Sequence, residues 1–136
     1  MNAQAALHLD NDIVAAFETG SLDPAQFNHR THLAFGWHYL QRDGFPEGAL
    51  HFRRHLQNYV AKVGAQSKYH ETITWAYLAM IQERMAVRSF ASSEELLAAH
   101  PELLDHRTGA LAAHYDVAAL LASPLARASF VLPRLR

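Results

Sequence analysis

The chain contains no cysteine, which excludes disulfides, thiolate nucleophiles, iron–sulfur clusters and cysteine-ligated zinc. Charge is also scarce: 18% of the 136 residues are Asp, Glu, Lys or Arg, and the formal net charge is −1. The basic residues form no block or stripe, so no nucleic acid and no anionic membrane surface is expected as a partner. No apolar stretch approaches the roughly 20 residues that span a bilayer. Met1 to Asp10 lacks the basic-then-apolar pattern of a signal peptide, and a cytoplasmic protein is the expectation. A glycine-rich phosphate loop and a dinucleotide fingerprint are missing, and no serine sits on a strand-to-helix elbow. The chain has no strand-like alternation of useful length, no internal repeat and no low-complexity segment.

Half of the residues are hydrophobic, enough for a folded chain, and the length suits a single domain over 1–136. Helix signals follow one another. Asp12 to Thr19 is amphipathic and meets Gly20; Asp23-Pro24 is an N-cap followed by proline at the first helical position. Asn28 caps a helix from Arg30 to Arg42 that ends at Gly44. Phe45-Pro46-Glu47 opens the next, with Phe52, Leu56, Tyr59, Val60 and Val63 inward and Gly64 closing it. Tyr69 to Phe90 is the longest run, with Ile73, Ala76, Tyr77, Met80, Ile81 and Val87 inward. Ser92-Ser93-Glu94-Glu95 resembles a capping box, Pro101 restarts a short helix, and the apolar tail from Asp116 is expected to pack back. The expected fold is an all-α, single-domain bundle of four main helices plus short C-terminal ones.

Ten histidines are dispersed along the chain. His29 and His32 share a helical face with Leu33, Gly36 and Leu40, while Thr31, Ala34, His38 and Arg42 fall opposite. Histidines at i and i+3 can hold one metal ion from one face, and Gly36 leaves room one turn later. His70 and Glu71 open a second helix; His70 falls with Ile73, Thr74, Tyr77 and Ile81. Three imidazoles from two helix starts would suit zinc, iron, nickel or copper, with Glu71 as fourth ligand or general base. Thr72 and Thr74 could orient those groups. Each feature also has an ordinary explanation: histidines that cap and pack, and a glutamate that favours the positive end of the helix dipole. His51-x-x-x-His55, His38, His100 and His106 are expected on solvated faces. Trp37, Tyr39, Trp75 and Tyr77 line a pocket or fill the core.

Phe27-Asn28-His29-Arg30-Thr31-His32-Leu33-Ala34 with Trp37, and Tyr69-His70-Glu71-Thr72-Ile73-Thr74, resemble an uncharacterised family of small bacterial all-helical proteins with F-x-H-x-x-H-L and Y-H-E-T-I-T motifs. Ala126-Arg127 to Pro133 loosely resembles that family's C-terminal segment. The resemblance runs from about Phe27 onward and implies that His29, His32, His70 and Glu71 belong to one site; it implies no particular reaction.

Two functions follow as expectations. One is a metal-dependent small-molecule enzyme, hydrolytic, hydrating or using oxygen. In it His29, His32 and His70 are ligands, Glu71 is catalytic, and Arg30, Trp37 and Thr74 contact the substrate. The other is a non-catalytic metal- or ligand-binding helical domain. The apolar tail would equally suit the surface of a homo-oligomer.

Overall fold

The computed structural model describes residues 8–105 and 107–133; His106 lies outside them. The fold is all-α, with no strand among the described residues. The helices are α1 (Asn11–Thr19), α2 (His29–Asp43), α3 (Glu47–Lys62), α4 (Glu71–Val87), α5 (Ser93–Ala99), α6 (Ala110–His114), α7 (Val117–Ala122) and α8 (Pro124–Ala128). Single 3-10 turns lie at Pro24–Gln26, Gln66–Lys68 and Pro101–Leu103. The chain falls into two compact units, Met1–Tyr69 and His70–Arg136.

Side-chain caps explain where most helices begin. Asn28 Oδ1 accepts from Thr31 N–H at 2.9 Å and Ser92 Oγ from Glu95 N–H at 3.1 Å. Asp116 and Ser123 do the same for α7 and α8. Each satisfies a backbone donor that the first helical turn leaves unpaired. Gly20 ends α1 in the left-handed region, at φ 80°, where glycine has no Cβ penalty.

In the first unit, α2 packs on α3 and α1 packs on α3. The core is aromatic. Phe17 stacks on Phe35 at 4.4 Å and on Phe27 at 5.4 Å between ring centroids, with Tyr59 at 5.5 Å. Tyr59 donates its buried hydroxyl to Leu22 O at 2.8 Å. The buried face of α2 is wider than the stripe of Leu33, Gly36 and Leu40, and it also takes in Thr31, Ala34, Phe35 and Tyr39. Thr31 and Ala34 were expected opposite. Phe35 and Tyr39, one turn apart, form a second stripe against Phe17, so α2 is covered on two sides. Gly48 sets the α2–α3 distance, because a Cβ there would lie 2.2 Å from the Tyr39 carbonyl oxygen.

In the second unit, α4 packs against α6 and α8, and α7 against α8. Ala76, Tyr77, Met80 and Ile81 are buried as the helical period predicts, Leu78 is buried as well, and Val87, expected inward, is 85% exposed at the last turn. Arg84 reaches Glu102 at 3.0 Å, and His100 Nδ1 shares the same carboxylate oxygen. Of the tail, Leu120 and Ala126 are buried, while Leu121, Leu125, Phe130 and Leu132 stay exposed. Among the described residues, no helix is long and apolar enough to cross a membrane.

Gly48→Ala should destabilise the chain by about 1–3 kcal/mol, the usual cost of overpacking, because the obstructing atom is backbone. The urea midpoint is the measurement, and an unchanged midpoint would contradict the close α2–α3 approach.

Candidate functional site

In the first unit, His29 and Arg30 are the first two residues of α2 and both are partly buried. His32, one turn further on, lies between Phe27 and Phe52, with ring centroids at 5.4 and 5.3 Å. Burial, and then the neighbouring His29, push its pKa down to about 3. His32 is therefore neutral at physiological pH, the form in which an imidazole nitrogen offers a lone pair. Trp37, two turns into the helix, has an indole N–H that is buried without a hydrogen-bond partner among the described residues.

In the second unit the first residues of α4 have other occupations. His70, expected as the third metal ligand, is the N-cap: its Nδ1 accepts from Ile73 N–H at 3.1 Å. With Nδ1 accepting, the ring proton sits on Nε2, which donates to Leu120 O at 3.1 Å. Both nitrogens are engaged by backbone, the ring is 6% exposed, and no lone pair is left for an ion. Burial is the main reason that its pKa is lowered; Arg127 adds to the effect and the Leu120 hydrogen bond opposes it.

Thr74, expected to contact substrate, donates its buried hydroxyl to His70 O at 2.8 Å. That is back-bonding within the helix, four residues apart. Thr72 Oγ1 faces the Ala126 and Ser129 carbonyl oxygens, both at 2.8 Å, and accepts from Val131 N–H at 3.1 Å. Glu71, the first residue of α4, holds a partly buried carboxylate whose Oε2 accepts from Trp75 Nε1 at 3.0 Å. Among the described residues, no group of three or more His, Asp or Glu is placed to hold a metal ion.

Of the histidines set aside as solvated, His38, His51 and His55 lie with Glu18, Tyr39 and Asp43 in the first unit, while His100 pairs with Glu102 in the second. Tyr39, fully buried, donates to the Glu18 carboxylate through a short hydrogen bond. His55 Nε2 lies 3.5 Å from the same oxygen, and its ring stacks on Tyr39 at 5.7 Å. His51 Nδ1 pairs with Asp43 Oδ2 at 2.8 Å. His55 Nδ1 and His38 Nε2 are buried without partners among the described residues. Only the i, i+4 spacing of His51 and His55 hinted at this cluster. Glu18 and Tyr39 meet across 21 residues of sequence, which helical periodicity does not register. The arrangement ties α1, α2 and α3 together.

No family model, curated protein or solved structure matches the chain.

Two measurements check these roles. His70→Ala removes a cap, worth about 1 kcal/mol, and takes one of two donors from the Leu120 carbonyl, which keeps Ser123 N–H at 3.3 Å, about 0.5–1.5 kcal/mol more. His70→Asn, which retains a capping oxygen, should recover part of that loss in chemical denaturation. The second measurement is pH. Because the His32 pKa is depressed in the folded state, the unfolded chain binds the extra proton below pH 6.5. Stability should therefore fall as pH drops from 6.5 towards 3, by up to about 1.4 kcal/mol per unit from this group. His32→Leu should flatten that slope; an equal slope in the variant would refute the assignment.

Proposed function

We propose that the chain is a ligand-binding helical protein whose chemical centre is the His29–His32 pair and whose ligand is a divalent transition metal ion. The observation that carries this reading is the setting of His32. Its ring is fixed between Phe27 and Phe52 and kept uncharged, one turn after His29. Metal ligation requires a deprotonated imidazole, and two of them on consecutive turns suit zinc, iron, nickel or copper. An ion with two protein donors completes its shell with water or a small molecule. Bound there, it would supply an acidified water for hydrolysis or hydration, or oxygen chemistry with iron or copper. Arg30, between the two histidines in sequence, is suited to an anionic group on that small molecule, and Trp37 to an aromatic or apolar part of it. His70 takes no part as a ligand here; its task is to cap α4.

A metal-free domain is the second reading, favoured by the absence of any group of three donors among the described residues. Metal analysis of protein purified without an affinity tag, followed by cobalt(II) titration, separates the two. The proposal expects about one ion per chain at saturation, a tenfold or greater loss of affinity in His29→Ala and in His32→Ala, and full binding in His70→Asn. No binding at micromolar cobalt would leave the metal-free domain. Equal loss in all three variants would assign His70 a ligand role that its hydrogen bonds oppose.

A further inference from the structure

The second unit contains a cleft of about 620 Å³ lined by α7, α8 and the segment after α8. Its apolar wall includes Leu120, Leu125, Ala126, Val131 and Leu132, and Asp116 is the single charged side chain among the described residues that line it. Buried groups fix this wall from behind. His70 holds the Leu120 carbonyl at 3.1 Å, Thr72 holds Ala126 O at 2.8 Å and Val131 N–H at 3.1 Å, and Tyr115 donates to Val131 O at 2.8 Å. Three separate backbone segments are thus locked in place before any ligand arrives, which lowers the ordering cost of binding. The volume lies within the range of small-molecule sites, about 300–1,000 Å³.

Solvent has direct access. Leu125 and Leu132 are 66% and 76% exposed, an unfavourable state for apolar side chains bordering a concavity. Asp116 is exposed and uses Oδ1 to accept from Ala119 N–H at 3.2 Å. Its second carboxylate oxygen has no partner among the described residues and carries charge at the rim.

We propose that this cleft binds a hydrophobic amine, with its aliphatic or aromatic body against Leu120, Leu125, Val131 and Leu132 and its ammonium group on Asp116. The chemistry discriminates by sign. A carboxylate-headed molecule of equal length gains the same apolar contact but meets a like charge. The site is independent of the His29–His32 pair, so neither stands or falls with the other.

The test uses the full ¹⁵N-labelled chain titrated with octylammonium, octanol and octanoate, followed by amide chemical shifts. Octylammonium should give saturable shifts confined to residues 115–133 and bind about three- to fivefold more tightly than octanoate, the scale of one half-exposed ion pair. Asp116→Asn keeps an N-capping side chain for α7 and should abolish that preference while octanol binding is unchanged. Ala119→Trp, at an exposed position on the lining, should block all three probes without changing the melting temperature. Equal affinity for amine and carboxylate would overturn the proposal. So would shifts outside 115–133, shifts that never saturate, or an Ala119→Trp chain that binds as the parent does.

Discussion

The second unit depends on a few buried polar side chains that bond to the backbone of its short C-terminal helices and of the segment after them. α6, α7 and α8 are five or six residues long, below the length at which an isolated helix is stable in water. Each ends with carbonyls that have no intrahelical donor. Leu120 O accepts from Ser123 N–H at 3.3 Å and takes a second donor from His70, while Thr72 shares its single hydroxyl proton between Ala126 O and Ser129 O and accepts from Val131 N–H. An unpaired buried carbonyl costs on the order of 1–3 kcal/mol, so two side chains at the start of one long helix help to hold α7, α8 and the segment after α8 in place. Apolar burial of Leu120 and Ala126 then becomes available without leaving polar backbone stranded.

The first unit solves a different problem. Its core is a set of stacked rings around Phe17, and apart from Thr31, which bonds to Asn28, its buried polar groups among the described residues are carried by rings. Tyr59 and Tyr39 bring hydroxyls that end on Leu22 O and Glu18; His32 brings an imidazole that burial keeps neutral. Desolvation works the same way on both ring types. It pushes the Tyr39 hydroxyl up and the His32 imidazole down, in each case favouring the uncharged form. A neutral imidazole in that setting suits ordinary packing as well as a ligand-ready donor, and the proposed metal site rests on the second.

Much of the fold was legible because capping and glycine signals are local. Asn28, Asp23-Pro24, Gly20 and Ser92 mark helix ends within a residue or two of where the structure has them. The core was legible where a single stripe sufficed, as for Phe52, Leu56 and Tyr59 in α3. It was not legible where a helix is covered on two sides: Phe35 and Tyr39 belong to a face that the Leu33–Leu40 stripe does not include. The Glu18–Tyr39–His55 contact was out of reach for another reason. It joins three helices through side chains far apart in sequence, and nothing local distinguishes His55 from a solvated histidine.

His70 is the most instructive case, because one residue of register changes its chemistry. A helix drawn from Tyr69 puts His70 in the first turn, free to project a lone pair outward. With Glu71 as the first helical residue, His70 becomes the cap, and its Nδ1 is drawn onto Ile73 N–H. That leaves the ring proton on Nε2, and the proton finds Leu120 O. Histidine is not among the preferred N-cap residues, so the more familiar roles of imidazole hid this one. The consequence reaches beyond a lost ligand. The Nε2 hydrogen bond that occupies His70 also anchors Leu120, and Leu120 is a wall of the cleft beside Asp116. A residue type that suggested metal chemistry thus serves as scaffolding, and what it supports is a concavity whose own composition is apolar with one negative charge.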